Sequence, residues 1–115
     1  MIHKIVLAVN TAEELTLQRA VASIERLKSH FGEETIIEIV AYGPGLQFLM
    51  TQSAYQIALQ TLPPLVTLSA CQNTIYKIEQ KTGKKPNLLP AVQVVSGGLV
   101  RIVELQEQGY AYLLP

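Results

Sequence analysis

Residues 5–11, with the sequence IVLAVNT, decide the fold that the chain is predicted to adopt. The first five of these residues are all apolar, and an uninterrupted apolar run is typical of a strand buried on both faces of a parallel sheet. Asn10 and Thr11 then predict the start of a helix, in which Thr11 and Glu14 form a capping box. Apolar residues follow at helical spacing until Gly32, a typical helix end. The first unit is therefore a buried strand followed by an amphipathic helix.

The same alternation of strand and helix continues along the chain. Further strands are predicted at residues 35–42, 66–70, 92–95 and 110–113, because these segments are short and rich in β-branched or aromatic residues. Helices are predicted between them: an uncharged one at residues 46–62 with a break near residues 51–53, one ending near residue 82, and one ending at residue 109. This order predicts a single domain, residues 1–115, of the α/β class. We expect three α/β/α layers around a mostly parallel five-stranded sheet with right-handed crossovers.

The distribution of charge excludes some classes of function. The chain has 9 basic and 9 acidic residues and no net charge, so it lacks the basic surface of a nucleic-acid-binding protein. Only 16% of its residues are charged, and none lies within residues 39–76. Prolines interrupt that stretch, which is too broken for the ~20 apolar residues of a membrane span. The start of the chain lacks the pattern of a signal peptide, so we expect a cytoplasmic protein.

The low charge also predicts a partner. An uncharged surface on a short soluble chain indicates that a second copy of the chain covers it, and we expect a homo-oligomer whose interface includes much of residues 46–62.

The binding of ligands is expected elsewhere, because open parallel sheets bind ligands beyond the carboxyl ends of their strands. Backbone amides at the helix starts that follow these strand ends favour anions. The residues placed there as pocket candidates are Asn10, Thr11, Gly43, Gly45, Asn73, Thr74, Ser96 and Gly97.

Cys71 is the one candidate nucleophile. It lies where a strand gives way to a helix, and amides at a helix start lower the pKa of a cysteine from its usual ~8.5. The alternative is that Cys71 is a small buried apolar residue, as cysteine often is. One cysteine excludes an internal disulfide, and His3 and His30 have no companion at metal-ligand spacing, so no metal site is predicted. No glycine-rich cofactor fingerprint is present, and we expect no cofactor.

The strand-end motifs together resemble the DsrE/DsrF-like family. They are Val9-Asn10-Thr11, Ala41-Tyr42-Gly43-Pro44-Gly45, Ala70-Cys71-Gln72-Asn73-Thr74, Val95-Ser96-Gly97-Gly98 and the carboxyl-terminal Gly109-Tyr110-Ala111-Tyr112. The resemblance covers nearly the whole chain and is greatest to the short, YchN-like members. It implies a three-layer domain that assembles into homotrimers or homohexamers. In the sulfur-relay members, a cysteine at the end of the third strand accepts sulfur as a persulfide and passes it to a partner protein, and Cys71 matches that position.

Two functions are therefore expected from different classes. The first is a sulfur relay, in which Cys71 carries persulfide sulfur between a donor and an acceptor protein. The second is a non-catalytic, oligomeric binding or scaffold domain that uses the strand-end cleft for a small anion or a protein tail. Reductase or peroxidase chemistry is less favoured, because one chain has no second cysteine to resolve an oxidised Cys71.

Overall fold

The computed structural model describes all residues, 1–115, and contains the alternating strands and helices that the sequence predicts. The elements are β1 (Lys4–Val9), α1 (Glu14–Phe31), β2 (Ile36–Ala41), a 3-10 helix (Gly43–Leu49), α2 (Gln56–Gln60), β3 (Val66–Cys71), α3 (Gln72–Thr82), β4 (Gln93–Val95), α4 (Gly98–Glu107) and β5 (Ala111–Leu113). All strand pairs are parallel, in the order β4-β3-β2-β1-β5. The prediction of a three-layer α/β/α fold is confirmed. None of the helices has the length and apolar character that a membrane crossing requires.

The strand order decides which helices cover each face of the sheet. From β1 the chain adds β2, β3 and β4 in one direction, and the connecting helices pack on one face. It then returns from β4 at one edge to β5 at the other, and this reversal places α4 on the opposite face, since crossovers are right-handed. One face is thus covered by several helices and the other by α4 alone.

The larger core lies on the face that α1 covers. It joins alternate residues of the central strands to the apolar side of α1 and to the 3-10 helix, including Leu7, Ile39, Ile24 and Phe48. The smaller core lies beneath α4, whose Ile102 and Leu105 pack on Val6, Ala8 and Val40. These continuous apolar strands are buried on both faces, as their sequence predicts.

The uncharged segment contributes mainly to the core of its own chain. Leu46, Phe48, Leu49 and Leu59 are all buried within the larger core. Burial within the chain therefore accounts for the apolar character of these four positions, whereas Ile57 in the same segment is exposed. The subunit interface expected at residues 46–62 stays a prediction.

This segment also differs in form from the single interrupted helix that we expected. Residues 46–62 are divided between the 3-10 helix and the short α2. Between these helices the chain pairs with a distant loop: the Leu89 amide donates to the Leu49 carbonyl and the Thr51 amide to the Asn87 carbonyl, each at 2.9 Å. These long-range bonds hold the backbone extended near Met50 and prevent a continuous helix.

The capping box predicted at the start of α1 is wrong. The helix begins at Glu14, after Glu13 as the N-cap residue, and no side chain caps it. Thr11 Oγ1 instead accepts a hydrogen bond from the Glu13 amide at 3.1 Å. A local turn, stabilised by Thr11, precedes the helix and shifts its start.

Candidate functional site

Cys71 joins two elements at the carboxyl edge of the sheet. It is the last residue of β3 and the N-cap residue of α3, so no loop separates the strand from the helix. Its backbone is extended (φ −75°, ψ 120°), and only 5% of the residue is exposed. The thiol is therefore fixed between the sheet and the first turn of α3.

N–H and O–H groups from the first turns of two helices lie near the Cys71 sulfur, although the Cys71 side chain forms no capping hydrogen bond to α3. Burial raises the pKa of the thiol, and the Thr74 hydroxyl and the amides of Thr74, Gly98 and Asn73 lower it. The donors outweigh burial, and the pKa of Cys71 is lowered from its ordinary value. Gly98 begins α4, so the amino-terminal turns of both α3 and α4 stabilise a thiolate at one point.

The Thr74 hydroxyl is oriented by its second partner. The Gly43 amide donates to Thr74 Oγ1 at 2.8 Å. A hydroxyl has one proton to donate as well as two acceptor sites, so Oγ1 can accept from Gly43 and still stabilise a thiolate at Cys71 with its own proton. The turn after β2 is thereby connected through Thr74 to the end of β3.

A cavity of about 670 Å³ opens beside Cys71. Of the pocket candidates, the structure brings Gly43, Asn73, Thr74 and Gly97 into its lining together with Cys71. The Asn73 side chain lies next to Gly97, since a Cβ at Gly97 would be 3.7 Å from Asn73 Nδ2. The ends of β2, β3 and β4 thus meet in one cleft, as the parallel topology predicts.

The other pocket candidates do not line this cavity. Asn10 is exposed after β1, and Thr11 is engaged in the turn before α1. Gly45 is buried against β1, where a Cβ would collide with the Val9 carbonyl oxygen. Ser96 is exposed in the turn before α4. The close approach at Gly45 gives this glycine a packing role in place of a ligand contact.

The cavity also has lining residues that the sequence reasoning missed. Lys77 and Lys81 extend along α3 from Asn73 at intervals of four residues, so all three side chains share one helix face. Both lysines are exposed, and neither forms an ion pair. Apolar side chains complete the wall: Tyr42, Leu46, Ile78, Leu99 and Val100. Extending the helical spacing from Asn73 would have identified the lysines.

A polar cluster around the buried Glu38 lies on the same sheet face as Cys71. Glu38 in β2 forms a bidentate ion pair with Arg101 in α4, with Arg101 Nε to Oε2 at 2.7 Å and Nη2 to Oε1 at 2.8 Å. Ser69 Oγ donates to the same carboxylate at 2.8 Å, and Gln93 Nε2 donates to Ser69 Oγ at 2.8 Å. The hydrogen bond to Glu38 raises the pKa of Arg101. No sequence pattern predicted this cluster, because a lone Glu in an apolar strand does not indicate its partner.

The fold and the site together define a class: a three-layer α/β/α domain with one buried cysteine at the carboxyl edge of a parallel sheet. No group of three or more His, Cys, Asp or Glu side chains lies close enough together to bind a metal ion.

Solved structures of similar proteins agree with this class of fold. Over 98% of its length the chain is similar to MTH1491, a protein of unknown function from Methanobacterium thermoautotrophicum, with 29% identity, a TM-score of 0.88 and 99% of that chain covered. It is also similar to BT1422, a conserved protein of unknown function from Bacteroides thetaiotaomicron, with 17% identity and a TM-score of 0.64 over 97% of this chain and 94% of that one. The second likeness shows the fold alone. No family model and no curated protein matches the sequence.

Proposed function

We propose that this protein is a DsrE/DsrF-like sulfur carrier of the cytoplasm, which accepts sulfur on Cys71 as a persulfide and passes it to a partner protein. One observation carries the proposal: the only thiol in the chain is buried, yet donors from two helices lower its pKa. The thiolate is the nucleophilic form of cysteine, and electropositive surroundings are typical of reactive cysteines. The strand-end motifs that resemble the DsrE/DsrF-like family support the same role.

The proposed transfer is an exchange between sulfur atoms. The Cys71 thiolate attacks the outer sulfur of a donor persulfide, R–S–SH, and a new S–S bond forms to Cys71 Sγ. The S–S bond of the donor breaks, and its inner sulfur leaves as a thiolate with the bonding electron pair. The persulfide on Cys71 loses its proton to water while the sulfur is held, and it takes a proton back from water before transfer, because the neutral outer sulfur is the electrophile. An acceptor thiolate attacks the outer sulfur in turn and releases the Cys71 thiolate, so no external oxidant or reductant is consumed.

The same donors suit both states of Cys71. In the resting state they stabilise the thiolate, and after transfer the hydroxyl of Thr74 and the nearby amides are available to the terminal sulfur of the persulfide. The adjoining cavity provides space for that additional sulfur and for the group that brings it. Burial shields the persulfide from adventitious thiols.

The proposal is tested by the intact mass of the protein after incubation with a low-molecular-weight persulfide donor. The expected product has one additional sulfur atom, a gain of about 32 Da, which a reducing agent removes. Cys71→Ser is the matched control, because it keeps the size of the side chain and removes the thiol. The proposal fails if the protein gains no sulfur, or if the Ser variant gains as much.

A non-catalytic binding domain is the second candidate, and the lining of the cavity favours it. Its volume of about 670 Å³ is within the usual range for small-molecule sites. Apolar walls and the unpaired Lys77 and Lys81 suit a small anion with an apolar part, or an acidic protein tail. A Cys71 thiol that titrates at its ordinary pKa of ~8.5 and takes no sulfur would favour this function over sulfur transfer.

We also propose that the chain assembles into a homotrimer or homohexamer, as the family resemblance implies. The outward side of α4 supports this, because Leu99, Val100 and Val103 are each more than half exposed. Light scattering is expected to give the mass of three or six chains, and Val103→Glu is expected to lower it. Glu107→Gln, on the same helix, is the control. A monomer mass for the wild-type protein at micromolar concentration would contradict the proposal.

A further inference from the structure

The ion pair between Glu38 and Arg101 is the only one in the structure, and it is placed where it could hold α4 in position. Glu38 is 4% exposed, and both of its carboxylate oxygens bond to the Arg101 guanidinium. Ser69 donates a third hydrogen bond to the carboxylate. Because a planar guanidinium and a carboxylate match in only a narrow range of geometry, this contact restrains both the distance and the rotation of α4.

The restrained part of α4 is the part that reaches Cys71. Arg101 lies in the first turn of the helix, where its amide donates to the Gly97 carbonyl at 2.9 Å. Gly98, in the same turn, lines the cavity together with Cys71, and its amide lowers the pKa of the thiol. Ser69, which also bonds to Glu38, is two residues before Cys71 on the same face of β3. The polar cluster is therefore one layer below the candidate site.

Apart from the ion pair, the side-chain contacts that hold α4 on the sheet are apolar. It is the sole helix on its face of the sheet, and its apolar contact is made chiefly by Ile102 and Leu105. The starting residue, Gly98, packs so closely on Tyr42 that an added Cβ would be 2.8 Å from Tyr42 Cγ. Among these contacts, the bidentate ion pair is the one with a strongly directional geometry.

A stabilising role does not by itself account for the pair. The desolvation of a buried carboxylate offsets much of its attraction to a cation, so buried ion pairs are often no more stable than apolar residues in their place. We propose that Glu38 and Arg101 are positioning residues, which fix the first turn of α4 so that the Gly98 amide faces the sulfur of Cys71. This inference rests on the proposed use of Cys71 as a thiolate.

The test compares the thiolate titration of Cys71 in single variants of the pair. It is followed by ultraviolet absorbance, with Cys71→Ser as the baseline. Glu38→Gln is the decisive variant, because two effects then have opposite signs. Removal of a negative charge by itself would lower the pKa of Cys71, whereas displacement of the Gly98 amide would raise it. Arg101→Gln should raise it as well.

We expect both variants to reduce the thiolate fraction, measured at a pH below the pKa of Cys71, by about fivefold, which is the effect of losing ~1 kcal/mol of hydrogen bonding. Arg101→Lys keeps the charge but not the bidentate geometry, and it should show a reduction in the same direction. Glu107→Gln removes a charge from the far end of α4 and should leave the titration unchanged. Lys77 and Lys81, the other charges near the thiol, are the same in every variant.

An unchanged titration in Glu38→Gln and Arg101→Lys, or a lower pKa in Glu38→Gln, would overturn the proposal. Thermal unfolding of each variant separates this effect from simple destabilisation, since a purely structural role would lower the midpoint without moving the titration. Should Glu38→Gln fail to fold, Arg101→Lys provides the same comparison at an exposed edge of the pair. Loading with the persulfide donor is measured separately. If the wild-type protein takes up no sulfur, but the Cys71 titration is shifted in Glu38→Gln and Arg101→Lys, the sulfur-carrier function is refuted and the positioning role stands.

Discussion

Replacement of Thr74 by valine removes a hydroxyl with two partners at the candidate site. Thr74 Oγ1 accepts from the Gly43 amide at 2.8 Å, and the same hydroxyl lowers the pKa of the Cys71 thiol. Valine is similar in size, so the substitution removes the polar contacts and leaves the wall of the cavity. We expect the pKa of Cys71 to rise, because burial, which raises it, is then opposed by backbone amides alone.

The size of the effect follows from the charge on the acceptor. A hydrogen bond to a charged group contributes ~1.5–3 kcal/mol, and ~1.4 kcal/mol corresponds to a factor of ten. The thiolate fraction of Thr74→Val, at a pH below the pKa of Cys71, should therefore be smaller by about tenfold or more. The Gly43 amide also loses its acceptor, which should cost ~1 kcal/mol of unfolding free energy. Thr74→Ser keeps the hydroxyl and is the matched control.

Two measurements check these quantities independently. The pH dependence of alkylation of Cys71 reports the thiolate, and urea unfolding reports the stability. We expect the alkylation profile of Thr74→Val to move to higher pH and that of Thr74→Ser to stay near the wild type. Coincident profiles for wild type and Thr74→Val would refute the reasoning, as would a Ser variant that behaves like the Val variant.

Three further outcomes are expected from urea unfolding. The pKa of Cys71 is lower in the folded chain than its unfolded value of ~8.5. The thiolate therefore adds to the free energy of unfolding fully above pH ~8.5, and this contribution is lost as the pH falls through the folded pKa. Cys71→Ser should lack this pH dependence. Gly45→Ala should lower the free energy of unfolding by about 3 kcal/mol, because the added Cβ collides with the Val9 carbonyl. Gly83→Ala, at φ +79° in open space, should lower it by only about 1 kcal/mol. Equal losses in the two variants would contradict this. Leu65 is exposed and has a strained backbone, with φ 68°. Leu65→Gly should raise the free energy of unfolding by ~0.5 kcal/mol, which is the strain relieved less the cost of ordering the more flexible glycine. A lower free energy of unfolding would contradict this.

The fold could be predicted because its main determinants are local. The apolar run at residues 5–9 and the alternation of strand and helix are sufficient to indicate a parallel sheet covered on both faces. The parallel topology also explains why some of the predicted pocket residues do line the cavity beside Cys71. Once the sheet is parallel, the segments that follow β2, β3 and β4 must meet at one edge, which brings Gly43, Cys71 and Gly97 together.

The remaining features depend on contacts between distant residues. The second helical segment is interrupted close to the break predicted near residues 51–53, but the bridge between Met50 and Leu88 that forms there has no signal in the sequence. The pairing of Glu38 with Arg101 joins residues that are 63 positions apart. The absence of charge in residues 46–62 does not by itself distinguish burial within the chain from burial between chains, because both produce the same composition, and the subunit interface stays a prediction.

The central claim is that the Cys71 thiolate takes up sulfur, and the rate of persulfide formation as a function of pH tests it most directly. Intact mass spectrometry at successive times after addition of a persulfide donor gives that rate. We predict one added sulfur per chain, with a rate that rises with pH as the thiolate forms, levels off above the lowered pKa of Cys71, and is shifted to higher pH in Thr74→Val. An absence of loading at every pH, or equal loading of Cys71→Ser, would contradict the claim.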